Sequence, residues 1–182
     1  MLKRLFAICI LLLCAHTLLR GENPVQVSEV YLDPGLGDPE TFVPLEFLLD
    51  EVSKRTAVPL ELSDRMNGER GQILLVNPSF SAWPPGSQGL LQAYPLPDEK
   101  EGYRVLSIGR QIYLQGTDFR GLLYGIGYFL RKADFTGTLK WEENSISTAP
   151  DKPIRGHQLG YRNTANSYDA WTTEQYEQYL RD

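Results

Sequence analysis

Apolar residues recur along this chain in two rhythms. Over residues 43–56, Leu45, Leu48, Leu49 and Val52 fall at i, i+3, i+4 and i+7, one stripe at the helical period. Asp50, Glu51, Lys54 and Arg55 take the other face. Pro44 suits a first turn, where no backbone donor is required, and Pro59 lies beyond the end. The second stripe is in "TDFRGLLYGIGYFLRKADF", where Phe119, Leu122, Leu123, Ile126, Leu130 and Ala133 share a face. Thr117 or Asp118 can accept its first free backbone N–H groups. Gly121, Gly125 and Gly127 each cost about 1 kcal/mol in a helix relative to alanine. Three of them predict a helix pressed close to a neighbour, most simply the sheet built by the preceding hairpin.

The alternating rhythm marks strands. Val25–Tyr31 is one, "VPLEL" is a short one, and "QILLV" (Gln72–Val76) is a buried one between turn signals. "YRVLSI" and "QIYLQG" flank Gly109–Arg110, a two-residue link with glycine first, as a type II′ turn requires. Leu106, Ile108, Ile112 and Leu114 are expected to share a face of that hairpin. "GTLKWEE" supplies a further strand and "NSISTAPDKP" reads as a linker. "NPSFSAWPPGSQGLLQAYPLPDEKEG" is rich in Pro, Gly and Ser and reads as a long surface loop. Trp83 and Tyr94 are its adhesive points, expected to pack it onto its own domain. The order is close to β-α-β-β-β-α-β, an α/β class chain whose α+β sandwich sets a small mixed sheet under two helices. This domain closes near residue 150.

The tail is a separate unit. In "IRGHQLGYR", alternation puts Arg155, His157, Leu159 and Tyr161 on one side and Ile154, Gly156, Gln158 and Gly160 on the other. Tyr161, Arg162, Asn163 and Asn166 then follow at the strand's carboxyl end. "WTTEQYEQYL" begins a helix, with Thr172 and Gln175 as a capping box and Trp171 and Tyr176 as the hydrophobic staple across it. A parallel strand needs a second strand beyond its helix, and the chain stops first.

The first residues change the inventory. Lys3 and Arg4 precede an apolar run from Leu5 to Leu19, the layout of a secretory signal over residues 1–21. A membrane span needs roughly 20 apolar residues, and His16 and Arg20 interrupt this run too early. The expected destination is therefore secreted, periplasmic or cell-envelope, with no stable membrane span in the mature chain. Removal of Cys9 and Cys14 leaves no disulfide and no cysteine nucleophile. Removal of Lys3, Arg4 and Arg20 leaves 15 basic residues against 23 acidic, a net charge of −8. Such a surface repels phosphate backbones, so no nucleic-acid partner is expected.

Candidate chemistry is sparse. The glycines of "GTDFRGLLYGIG" lie inside the amphipathic pattern instead of before it, and no Lys-Ser/Thr follows, which argues against a phosphate loop. Glycosidic hydrolysis generally needs two acids roughly 5 to 10 Å apart. Asp50–Glu51 and Glu142–Glu143 are adjacent pairs that point in different directions, and Asp169 is one acid without a partner. His157 has no metal-ligand companion at a plausible spacing, so neither a metal nor another cofactor is expected.

One resemblance organises these signals. The Tyr103–Arg104 strand, the hairpin, the Gly116–Thr117–Asp118 and Arg120–Gly121 turn and the Leu123–Tyr124–Gly125 helix resemble the α/β domain preceding the catalytic barrel in several secreted glycoside hydrolases. Family 20 beta-N-acetylhexosaminidases and family 67 alpha-glucuronidases are among these. "PIRG" at Pro153–Gly156 is similar to their lead-in to the first barrel strand. The resemblance implies a signal peptide (1–21), an accessory domain (22–150), and the first βα unit of an incomplete (β/α)8 barrel (151–182), which needs roughly 250 residues when whole. The catalytic carboxylates would lie on later barrel strands, so the fragment alone is expected to be inactive. The partners implied are the remaining barrel and a carbohydrate. Tyr161, Arg162 and Asn166, with His157 beside them, are the expected sugar contacts, Arg162 being able to grip a uronic acid in a bidentate pair. The alternative is a stand-alone secreted carbohydrate-binding module, with Trp83, Tyr94 and Trp141 as exposed platforms.

Overall fold

The computed structural model describes residues 24–142, 144–152, 154, 156 and 171–181. The chain divides into two units, 1–150 and 151–182.

The first unit is built on a mixed seven-stranded sheet. Its strands are β1 (Val25–Leu32), β2 (Glu61–Ser63), β3 (Gly71–Val76), β4 (Tyr103–Ile108), β5 (Gln111–Gly116), β6 (Lys140–Trp141) and β7 (Ile146–Thr148). They lie in the order β2-β1-β3-β5-β4-β7, with β6 also paired to β1. β2, β1, β3 and β5 run parallel; β4 is antiparallel to both β5 and β7. α1 (Val43–Arg55) and α3 (Phe119–Lys132) pack together on one face of the sheet. α1 buries Leu45, Leu48 and Val52 there, and α3 buries Leu122, Ile126, Phe129 and Leu130, against Ile73, Leu75, Val105, Ile112 and Leu114. Among the described residues no helix is long and apolar enough to cross a membrane.

Five expectations change. The hairpin pairs Leu106 with Tyr113 and Ser107 with Ile112. Leu106 and Ile108 therefore face away from the helices, while Ile112 and Leu114 face them. A two-residue turn joins residues of opposite sequence parity across the strands, so equal parity means opposite faces. The turn itself is as expected, with φ +58 at Gly109 and no positive φ at Arg110. Second, the Pro/Gly/Ser-rich segment contains a short helix, α2 (Gln88–Ala93). It lays Phe80, Trp83, Leu90, Leu91 and Tyr94 over Leu74, Val76, Leu106 and Tyr113, covering the sheet's other face as expected of Trp83 and Tyr94. Third, the expected linker carries β7, which extends the sheet beyond β4. Fourth, Glu51 is not on the solvated face of α1; it is 2% exposed. Its carboxylate holds Arg55 at 2.8 Å, and Arg55 donates to the Leu130 carbonyl at 3.2 Å, tying α1 to α3. Phe119 also departs from its stripe and stands half exposed, while Phe129 takes a core place.

Buried between sheet and flap, the Tyr113 hydroxyl donates to Gln111 Oε1 at 2.8 Å, and burial pushes its pKa up to about 12. An unfolded tyrosine titrates near 10. The raised folded value means the contribution is intact below pH 10 and lost as pH climbs toward 12. Stability should fall there by about 1.4 kcal/mol per pH unit from this residue. Urea midpoints at pH 9 and pH 11 measure the decline, and Tyr113→Phe should remove that share of it.

The second unit contains α4 (Thr173–Arg181). Its start is as expected: Thr172 N–H donates to Gln175 Oε1 at 2.9 Å, and Gln175 N–H donates to Thr172 Oγ1 at 3.3 Å. The Trp171 and Tyr176 rings meet at 5.3 Å.

Candidate functional site

His157, Tyr161, Arg162 and Asn166, the residues expected to touch sugar, lie outside the described residues, as do Arg155 and Asp169. Among the described residues a lined concavity lies elsewhere, where β1, β3 and β5 end.

The topology opens that place. After β1 the chain leaves through α1, on the helical face, toward β2 at the sheet edge. After β3 it leaves through the flap, on the opposite face, toward β4 and β5. Two adjacent parallel strands with connections on opposite faces leave a crevice at their carboxyl ends. Here it measures about 220 Å³, walled by Leu36, Phe42, Val76, Pro78, Phe119 and Leu122, with Asn77 and Asp118 at its polar corner.

Polar bonds hold the walls. Asp33, just after β1, accepts from Gly35 N–H at 2.9 Å and from the Asn77 backbone and side-chain nitrogens at 3.2 and 2.6 Å. Asn77 in turn accepts Ser79 N–H on Oδ1 at 2.7 Å, and its carbonyl accepts from Gln115 Nε2 at 2.6 Å. Asp118 is the N-cap of α3, accepting Gly121 N–H at 2.8 Å; its other oxygen accepts Glu101 N–H at 2.9 Å. A side chain at position 35 would place its Cβ 2.4 Å from the Asn77 amide, so glycine permits the two strand ends to close together. Phe42 and Phe119 meet edge to face, 6.2 Å apart at 84°.

A second, polar groove of about 480 Å³ runs beside β2, with Glu29, Glu61, Asp64 and Glu69 facing Arg65 and Arg70. Glu29 is buried and committed: Arg70 holds it at 3.0 Å and Gln72 donates to it at 3.3 Å.

The aromatics proposed as sugar platforms are spent on packing. Trp141 is 1% exposed. Trp83 packs on Tyr113 at 5.0 Å and gives its indole N–H to the Phe80 carbonyl at 2.9 Å. Its face lies 4.9 Å below the Arg104 guanidinium. Arg104, 8% exposed, donates to Gln115 Oε1 at 2.7 Å and to the Tyr94 carbonyl at 3.0 Å, and burial pulls its pKa down. Arg104, Trp83 and Tyr94 thus form the rivet that fastens the flap.

No family model and no curated protein matches the chain. Solved structures do. CpGH84B, a family 84 glycoside hydrolase, superposes with a TM-score of 0.56 at 16% identity over 82% of this chain. The GH20 beta-N-acetylhexosaminidase from Streptomyces coelicolor A3(2) does so with a TM-score of 0.50 at 17% identity over 73%. The fold is one found within both of these glycoside hydrolases. The chain spans about a quarter of each of those proteins, 24% and 25%. Within the first unit, the buried acids Glu29, Asp33 and Glu51 each hold a neighbouring strand or helix in place.

The signals for the crevice lie far apart in sequence. Asp33, Asn77 and Asp118 each follow a strand by one or two residues, and each sits at the start of a turn or helix. Nothing local to any one of them announces the other two.

Proposed function

We propose that residues 22–150 are the non-catalytic accessory domain of a secreted glycoside hydrolase acting on poly- or oligosaccharide, of alpha-glucuronidase or beta-hexosaminidase type. Residues 151–182 open its catalytic barrel. His157, Tyr161, Arg162 and Asn166 would then line the sugar site at the first barrel strand, and the hydrolytic acids would come from later strands. The partners are the remaining barrel and the carbohydrate; no cofactor is invoked.

The observation that carries the reading is the mixed sheet with two helices on one face, which superposes on a quarter of two glycoside hydrolases. The committed state of the buried acids agrees with a domain that buttresses and does not hydrolyse. The burial of Trp141 and the partial burial of Trp83 and Tyr94 within the flap weigh against the stand-alone binding module.

The test compares the 182-residue product with the product of whatever open frame continues past codon 182. Both are assayed against aryl glycosides of N-acetylhexosamines and uronic acids. The extended product should hydrolyse at least one, and the 182-residue product none. Turnover by the short product, or a stop directly after codon 182, would overturn the reading.

A further inference from the structure

We propose that the crevice at the ends of β1, β3 and β5 binds a single neutral pyranose. The choice of a sugar rests on the glycosidase reading above. The size, polarity and charge demanded of the ligand rest on the crevice itself.

Position comes first. In open α/β sheets, ligands bind outside the carboxyl ends of the strands where the connections diverge, because the chain cannot fill that gap. The ends of β1, β3 and β5 meet at such a divergence, and between them lies a cavity of about 220 Å³. That is below the roughly 300–1,000 Å³ of sites for drug-sized ligands, so it suits one ring and not a chain of them.

The lining selects the ring's character. Phe119 is 50% exposed, although it opens a helix that buries Leu122, Ile126, Phe129 and Leu130. Phe42 stands edge-on to it, and together they form an aromatic corner at the mouth. A pyranose presents an apolar C–H face that can lie on such a ring while its hydroxyls point elsewhere. The polar corner offers Asn77 and Asp118, with the buried carboxylate of Asp33 behind the Asn77 amide, and a hydroxyl can both donate and accept there.

Charge narrows the class further. Asp118 lines the crevice, and the Asp33 carboxylate stands just behind the Asn77 side chain that also lines it. The nearest arginine on α3, Arg120, is turned to Glu101 at 3.0 Å. Among the described residues no cation lines the crevice, so a uronate would meet only further negative charge, and the crevice should take the uncharged sugar and refuse the acid.

The experiment is a titration of the ¹⁵N-labelled 182-residue chain, followed by amide chemical shifts. N-acetylglucosamine and xylose are the neutral probes, and glucuronate is the charged one. The neutral sugars should give saturable shifts at Gly35, Asn77, Gly116 and Phe119, with a dissociation constant on the order of 1–10 mM. Phe119→Leu keeps an apolar side chain at a half-exposed position and loses the ring; it should bind about fivefold more weakly. Phe119→Tyr should retain binding. Absence of shifts with every sugar, shifts confined to other residues, unchanged affinity in Phe119→Leu, or glucuronate binding as well as the neutral probes would each overturn the proposal. These outcomes leave the hydrolysis assay untouched. Neutral-sugar binding together with an extended product that hydrolyses nothing would instead sink the accessory-domain reading and keep the crevice.

Discussion

Trp141→Ala is expected to lower the unfolding free energy by about 3–5 kcal/mol, measured from urea denaturation followed by far-UV circular dichroism. The ring is almost wholly inside, against Phe129 at 5.0 Å, and truncation leaves a cavity that the surrounding strands cannot close. Its indole N–H adds a second role. It donates to Ser107 Oγ at 2.8 Å, and that hydroxyl donates to the Asn144 carbonyl at 2.9 Å while accepting Asn144 N–H at 3.2 Å. Ser107 N–H also reaches Ser145 Oγ at 3.2 Å. The indole therefore anchors the segment that leads from β6 into β7. Trp141→Phe, which fills most of the space and drops the hydrogen bond, should cost only about 1–2 kcal/mol. The two substitutions separate packing from bonding. They also test the binding-module alternative, which requires Trp141→Ala to spare stability and abolish glycan binding. The opposite pattern is expected.

Trp141 also shows why part of this fold could be read from the sequence and part could not. Both long helices were legible because a stripe at the 3.6 period over three or more turns has few other uses. The strands around Gln72–Val76 and the hairpin were legible because turn residues bound them sharply. The faces of the hairpin were not. Leu106 and Ile112 look equivalent until the length of the turn is carried through the strand register. β7 is three half-buried residues in a Ser/Thr/Pro context, and its existence depends on β4 presenting an open edge. α2 is six residues long and owes its stability to the aromatic surface beneath it, as short helices must. Glu51 defies its pattern because charge alone implies solvent, whereas its partner Arg55 sits one turn on and reaches α3. The crevice lay beyond sequence reasoning altogether. Its three walls come from strand ends forty or more residues apart, brought together by a mixed sheet whose order is not the chain order.

Gly121→Ala is expected to destabilise the domain by about 2–3 kcal/mol, while Gly127→Ala, two turns along the same helix, should stabilise it by about 0.5–1 kcal/mol. Helix propensity alone assigns both changes the same favourable sign. Space decides otherwise. A Cβ at position 121 would fall 2.2 Å from the Gly102 carbonyl oxygen, backbone against backbone, whereas at 127 it would meet only the mobile end of Arg131 at 3.3 Å. The Gly102 carbonyl cannot retreat cheaply. It accepts from Thr117 N–H at 2.9 Å and Thr117 Oγ1 at 3.1 Å, and Glu101 beside it sits at φ +62 with its N–H given to Asp118. Moving that segment would break the bonds that also set the N-cap of α3. Gly125 falls between the two cases, since its Cβ would touch Tyr103 at 3.5 Å, an ordinary contact. The glycines that the helical pattern could only count as three equal penalties thus differ in kind. Only Gly121 is required by the approach of helix to sheet, and thermal melts of the two alanine variants should move in opposite directions from the parent. If both moved upward together, the tight seating of α3 on the turn before β4 would be refuted, and with it the geometry that holds Asp118 and Phe119 at the mouth of the crevice.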